Sequence, residues 1–222
     1  MADYSKIRIA LDGPSGAGKS TIAKKIAQKL GLVYVDTGAL YRSVGLYSIE
    51  NGIDAEDTEK IIASLDRITL RLAYEDGAQK VYLNGSDVGD RIRTPIASKY
   101  ASAVSKIPEV RAFLLKVQRD IAEGGGVIMD GRDIGTVIMP DAELKVFMTA
   151  TPEARADRRC KELEEKGMPQ PYEDVLRDII ERDRADRERE ASPCVPAEDA
   201  VQFVNDNYGI EESADYIIGL IK

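Results

Sequence analysis

Gly13-Pro14-Ser15-Gly16-Ala17-Gly18-Lys19-Ser20 decides the fold. It fits the spacing G-x-x-x-x-G-K-[ST], and the chemistry explains the spacing. Glycines let successive backbone N–H groups curl around phosphate oxygens. A helix opening near Lys19 adds its positive dipole end. Lys19 is long enough to reach β- and γ-phosphates, and the Ser20 hydroxyl can join the shell of a magnesium ion. Gly13 to Ser20, with Thr21, are therefore candidate contacts for a nucleoside triphosphate and its Mg2+, with Ser20 the candidate metal ligand. The motif alone does not distinguish a kinase from an ATPase or a GTPase. An Asn-Lys-x-Asp segment, which a typical GTPase uses to read its base, is absent.

The flanks supply the context that the motif needs. Ile7 to Leu11 is a short apolar run, the pattern of a buried parallel strand. Lys19 to Leu30 has helical spacing, with Ile22, Ile26, Ala27 and Leu30 on one face, and Gly31 stops it. Leu32 to Val35 reads as a second strand and Thr37 to Asn51 as a helix closed by Asn51-Gly52. Farther on, Val127 to Met129, Leu144 to Met148 and Val201 to Val204 read as strands. Helices are expected after Pro95, from Pro108 to Gly124, from Thr151 to Lys166, from Tyr172 to Ala191 and from Ser213 to Lys222. Strands alternating with helices predict an α/β fold with a parallel sheet covered on both faces. The middle differs: Ile68, Leu70, Leu72 and Tyr74 alternate with polar residues. With a turn at Asp76-Gly77 and short strands at Val81 to Leu83 and Val88, 66–93 reads as a small antiparallel insert.

Composition narrows the chemistry. The 222 residues carry a formal net charge of −8 and 43% hydrophobic residues. No general basic character exists to hold a polynucleotide, so any anion must be held by local Arg and Lys clusters. Histidine is absent, which removes the commonest general base and every Ser-His or Cys-His relay. Cys160 and Cys194 do not form a CxxC pair and read as free thiols. No signal peptide or apolar run long enough to span a bilayer is visible, so a cytoplasmic location without membrane contact is expected.

Three clusters extend the site. Arg155, Arg158 and Arg159 fall at i, i+3 and i+4 on one helix face. Arg182, Asp186 and Arg189 fall at i, i+4 and i+7 on the next. Asp130-Gly131-Arg132-Asp133 follows a strand, where ligands of open α/β sheets bind. Charge pattern alone favours a solvated helix laced with ion pairs for Glu181 to Glu190, and a polar turn is an equal reading of 130–133. Arginines are nonetheless suited to clamp a phosphoryl group, being permanently ionised and bidentate.

Taken together, Asp12 to Ser20, Thr37-Gly-Ala-Leu-Tyr-Arg42, Asp130-Gly-Arg-Asp-Ile-Gly-Thr136 with Pro140-Asp-Ala142, and Glu181-Arg-Asp-Arg-Ala-Asp-Arg-Glu-Arg189 closely resemble bacterial cytidylate kinases, in family order along nearly the whole chain. The resemblance implies a single P-loop kinase domain over 1–222. Within it lie a five-stranded parallel sheet flanked by helices, a monophosphate-binding insert at 66–107 and a lid at 151–170. It implies transfer of a phosphoryl group from ATP, with Mg2+, to CMP or dCMP, by a monomer. By similarity, Lys19, Arg132, Arg155, Arg158 and Arg159 serve catalysis. Arg42, Arg132 and Arg189 hold the CMP phosphate with Thr37 and Tyr41; Ser102, Arg111 and Asp133 face cytosine; Arg182 and Asp186 contact ribose. The chain departs from the family at Asn205-Asp206-Asn207, where Asp followed by Ser or Thr is usual, and at Thr37, where Ser is common. The rivals are a P-loop kinase acting on a hydroxyl, with Asp130 or Asp36 as base, and a nucleotide-binding switch without turnover.

Overall fold

A computed structural model describes residues 3–75 and 78–221. Eight strands, β1 (Arg8–Asp12), β2 (Val33–Asp36), β3 (Leu70–Glu75), β4 (Ala78–Leu83), β5 (Ser86–Asp87), β6 (Val127–Gly131), β7 (Leu144–Thr149) and β8 (Val201–Val204), are assigned among them. They are accompanied by the helices α1 (Lys19–Leu30), α2 (Thr37–Glu50), α3 (Thr58–Ser64), α4 (Pro95–Val104), α5 (Pro108–Ala122), α6 (Pro152–Glu165), α7 (Tyr172–Glu188) and α8 (Ile210–Gly219). The larger sheet has five strands in the order β2-β6-β1-β7-β8, with β1 parallel to β6 and β7, and β7 parallel to β8. The smaller has three, β3-β4-β5, antiparallel. The chain divides into two compact units, residues 1–34 with 125–222, and residues 35–124.

The first unit is built on the parallel strands. β1 is buried along most of its length, as a central strand should be. Ile9 and Leu11, on one face of it, join Leu144, Val146 and Met148 of β7 and Phe203 of β8. Ile22, Ala23, Ile26 and Ala27 of α1, with Ala214 and Ile217 of α8, cover that face. Each fully buried Ile or Leu contributes about 1.5–3 kcal/mol, so this contact fixes α1 firmly behind its first turn. A smaller cluster, Ala156, Leu163 and Val175 with Tyr172, Leu176 and Ile179, pairs α6 with α7.

The second unit has its own core. Leu40 and Val44 of α2, Ile61 of α3, Val81 and Leu83 of β4, Val104 of α4, and Val110 and Leu114 of α5 are all nearly fully buried. The alternation expected in the insert appears as β3 paired with β4, Leu72 opposite Val81 and Leu70 opposite Leu83. The turn expected at Asp76-Gly77 lies outside the described residues.

Four boundaries differ from expectation. α3, with the single 3-10 turn Leu65–Arg67 after it, is a short helix that the pattern did not announce; its Asp57 caps Lys60 N–H, a signal only visible locally. The strand placed at Val88 is the two-residue β5 just before it. α8 starts at Ile210 rather than Ser213, because Gly209 and Glu212 close its N-terminus. α7 ends at Glu188, so Arg189 stands just beyond the helix, in extended backbone.

Candidate active site

The phosphate loop joins β1 to α1. Gly13 sits at φ +142°, where a Cβ would run into the Met148 carbonyl. Gly18, at φ +94°, opens α1 and has no side chain to occupy the free N–H groups of its first turn. The loop carbonyls are tied back. Pro14 C=O accepts from Lys19 Nζ at 2.7 Å, Ser15 C=O from Arg155 Nη1 at 3.1 Å, and Ala17 C=O from Asn205 Nδ2 at 3.0 Å. Three loop carbonyls are thus engaged by side chains, and an anion at the loop would be met by its N–H groups. Gly13→Ala is therefore expected to lose both ATP binding and stability, read as a lowered Tm that ATP no longer raises.

Burial, reinforced by the neighbouring Arg132, lowers the Lys19 ammonium to about 7, against the opposing pull of Asp130 and Asp12. Ser20 Oγ donates to Asp130 Oδ2 at 2.5 Å, and Tyr34 Oη donates to Asp130 Oδ1 at 3.2 Å. A hydroxyl beside a carboxylate is a hard oxygen pair suited to a divalent cation that keeps most of its ligands as water and phosphate. Among the described residues no group of three acidic, Cys or His side chains forms a metal cage. The adjoining residue of β1, Asp12, is buried and accepts from the N–H groups of Ile134 and Gly135 at 2.8 and 2.7 Å. Burial lifts its carboxyl to about 6, although both N–H groups favour the charged form. It ties the start of the loop to the segment that carries Arg132 and Asp133. That segment then closes on itself in one wide turn, with Met139 N–H bonded to Ile134 C=O at 2.7 Å.

α7 presents two different faces. Arg177–Asp174 and Arg184–Glu188 are exposed ion pairs, as the charge pattern suggests. The other face is held inward. Arg132 Nε donates to Asp186 Oδ2 at 2.9 Å, and Arg189 lies 3.8 Å from Asp186 and 4.0 Å from Asp133. Burial alone would raise the Asp186 carboxyl, but Arg132, Arg182 and Arg189 hold it below the ordinary carboxylate range. So Arg132, Asp133, Arg182, Asp186 and Arg189 are brought together, and the helical spacing that suggested it holds even though Arg189 is past the helix end.

The three arginines of α6 do not behave alike. Arg155 is 2% exposed and forms a two-pronged pair with Asp183 at 2.9 and 2.5 Å. Arg158 donates to the Asn205 carbonyl at 2.5 Å, and Arg159 pairs with Glu162 at 2.8 Å. Thr21 is exposed on α1, beside Lys24, Lys25, Gly209 and Ile210.

In the second unit, Thr37 is the buried first residue of α2. Arg42 Nη2 donates to Asp36 Oδ2 at 2.6 Å. The Arg111 guanidinium lies 5.5 Å from the centre of the Tyr41 ring and donates to Ser105 C=O at 3.1 Å. Ser105 Oγ in turn donates to the Ser102 carbonyl. Within that unit Arg111 thus links Tyr41 to the Ser102–Ser105 turn, and Asp36 holds Arg42.

Comparison with known proteins decides the family. A family model described as cytidylate kinase matches residues 9–222. The chain belongs to the cytidylate kinase family. A cytidylate kinase of Caldicellulosiruptor saccharolyticus is 50% identical over 97% of this chain and 95% of its own length. Another, of Fervidobacterium nodosum, is 47% identical over 97% and 96%. A shikimate kinase structure from Bacteroides thetaiotaomicron shares the fold, with TM-score 0.51 and 16% identity over 96% of this chain and 97% of that one. With the cytidylate kinase family in view, four residues stand out to which motif reading gave no ligand role. Asp12 and Asp130 sit inside the motifs, Asp12 with no assigned task and Asp130 only as a base in the rival kinase reading. Asp183 lies between two residues read as ligand contacts. Asn205, 4% exposed, marks the departure from the usual Asp and locks β8 to the loop. A buried amide directly after a strand was the available signal.

Proposed function

We infer that this chain transfers the γ-phosphoryl group of ATP to CMP, giving ADP and CDP, and that it accepts dCMP as well. The observation that carries this is the family match over 9–222, which spans the phosphate loop and every arginine cluster together. The residue roles follow the resemblance. The loop Gly13 to Ser20 binds the ATP phosphates through the N–H groups of its residues other than Pro14, with Thr21 beside it. Lys19 neutralises charge that gathers on the transferred group. Ser20 Oγ, with Asp130 behind it, is suited to hold Mg2+, which would supply charge neutralisation and alignment of the phosphates.

The acceptor side follows the same logic. Arg42, Arg132 and Arg189 hold the CMP phosphate with Thr37 and Tyr41, Arg182 and Asp186 take the ribose, and Ser102, Arg111 and Asp133 take cytosine. The CMP phosphate has a second pKa of about 6, so its attacking oxygen is already ionised at neutral pH. No general base is needed, and a chain without histidine loses nothing. We assign 66–107 to monophosphate binding and 151–170 to a lid. Closure over Arg155, Arg158 and Arg159 would exclude water from the reaction. The protein would act as a cytoplasmic monomer on small nucleotides.

Specificity has a physical source. Cytosine presents an amino donor where uracil presents a carbonyl, and the buried Asp133 carboxylate accepts from the first and repels the second. Coupled assay of ADP release with CMP, dCMP, UMP and shikimate tests the reading; turnover on shikimate but not CMP would contradict it. In that assay Asp133→Asn should narrow the CMP-over-UMP ratio of kcat/KM by about tenfold or more, the worth of one charge-assisted hydrogen bond. An unchanged ratio would remove Asp133 from base reading.

A further inference from the structure

Gln79 is out of place by pattern. In β4, residues 79, 81 and 83 share a face, and Val81 and Leu83 are buried in the second unit's core. Lys80 and Tyr82, on the opposite face, meet polar partners, Asp87 and Glu75 respectively. A glutamine on the core side needs partners for both ends of its amide. It finds them in one residue. Gln79 Oε1 accepts from the Asp36 N–H at 2.8 Å, and Gln79 Nε2 lies 3.4 Å from the Asp36 carbonyl it donates to.

Asp36 is the last residue of β2, an edge strand of the five-stranded sheet. The Gln79 amide does for it what a neighbouring strand's backbone would do. The Asp36 carboxylate is in turn committed twice. Oδ1 accepts from Ala39 N–H at 3.1 Å and so caps α2, while Oδ2 accepts from Arg42 at 2.6 Å. Gly38 leaves the room, since a Cβ there would come within 2.9 Å of Arg42 Nη1. The guanidinium is therefore folded back on the first turn of α2 and held by a carboxylate whose own backbone is clamped by Gln79. Arg42 Nε is buried and has no hydrogen-bond acceptor among the described residues, so the group keeps a donor for a ligand.

We propose that Gln79 is a positioning residue for CMP: its side-chain amide fixes Asp36, and through Asp36 it fixes the orientation of Arg42. This rests on the reading of Arg42 as a contact of the CMP phosphate. The chain of contacts lies wholly in residues 36–79, so its effect should fall on CMP and spare ATP. Without the clamp, Asp36 keeps its carboxylate but not its place, and Arg42 spends time out of register with the phosphate.

The test is a double-mutant cycle read by steady-state kinetics, with KM measured separately for CMP and ATP. Gln79→Ala should raise KM for CMP about five- to tenfold, the loss of one to two ordinary hydrogen bonds. KM for ATP should stay within about twofold. Arg42→Ala should raise KM for CMP further, and Gln79→Ala should add nothing in that background. Gln79→Glu keeps the size and the acceptor but loses the donor and adds charge beside Asp36; it too should raise KM for CMP, and it stands in should the alanine variant fold poorly. Additive effects in the cycle, or equal rises in both KM values, would overturn the role of Gln79 while leaving Arg42 in place. An Arg42→Ala enzyme with unchanged KM for CMP would instead overturn the reading of Arg42 beneath it.

Discussion

Lys19→Met should lose turnover by about a thousandfold or more while the free protein becomes more stable at pH 6. The two halves have one cause. Lys19 is a buried cation that donates its hydrogen bond to a neutral carbonyl, that of Pro14. Burial and Arg132 depress its pKa from 10.5 to about 7, so the folded protein binds its proton less tightly than the unfolded chain does. Between about 7 and 10.5 the unfolded chain holds more protons, and stability rises with pH. Below 7 the cost of burying the charge is present in full. Methionine fills similar space without charge, so the variant's Tm should exceed that of the parent at pH 6 by several degrees, roughly. The gap should shrink as pH climbs from 7 toward 10.5. ATP should reverse the ranking, because mass action stabilises only the protein that grips it. Thermal melts from pH 6 to 9.5, with and without ATP, read all of this. A methionine variant that is active, or that melts lower at pH 6 than at pH 9 relative to the parent, would contradict the account.

Asp183→Ala should be the most damaging single change to stability outside the two cores. It leaves the Arg155 guanidinium, 2% exposed, without its carboxylate. Breaking a buried pair on one side costs about 3–5 kcal/mol. At about 2–4 °C per kcal/mol for a chain of this size, Tm should fall roughly 10 °C. Arg155 also reaches the carbonyls of Ser15 and Ala150, so the phosphate loop loosens with it. Removing both charges, as Arg155→Met with Asp183→Leu, should recover much of the stability. Turnover should not recover, since the loop has lost its arginine. A single Asp183→Ala variant with parental Tm would show that the pair contributes nothing.

What was readable in the sequence follows from the range of each interaction. The phosphate loop, β1, α1 and β8 emerged almost residue for residue, because glycine placement and apolar period are local properties. α3 did not, since seven residues with two buried positions give too short a period to detect. The faces of α7 were only half readable. Spacing placed Arg182, Asp186 and Arg189 together, but charge pattern could not tell a wet face from one gripped by Arg132, which lies 54 residues away in sequence. Asp12, Asp183, Asn205 and Gln79 are known by partners far along the chain. Nothing at i±4 announces Asp12 or Asp183, whereas Gln79 breaks the apolar alternation of β4. Arg155 is the sharpest case: its spacing matched Arg158 and Arg159, yet burial and Asp183 set it apart.

The most direct measurement is 31P NMR of the purified chain mixed with equimolar ATP and CMP in Mg2+. The γ resonance of ATP should fade as the β resonances of ADP and CDP grow together, with inorganic phosphate staying at the background level. Growth of inorganic phosphate alone, or an ATP spectrum that ignores CMP, would contradict a phosphoryl transfer from loop-bound ATP to a cytidine monophosphate.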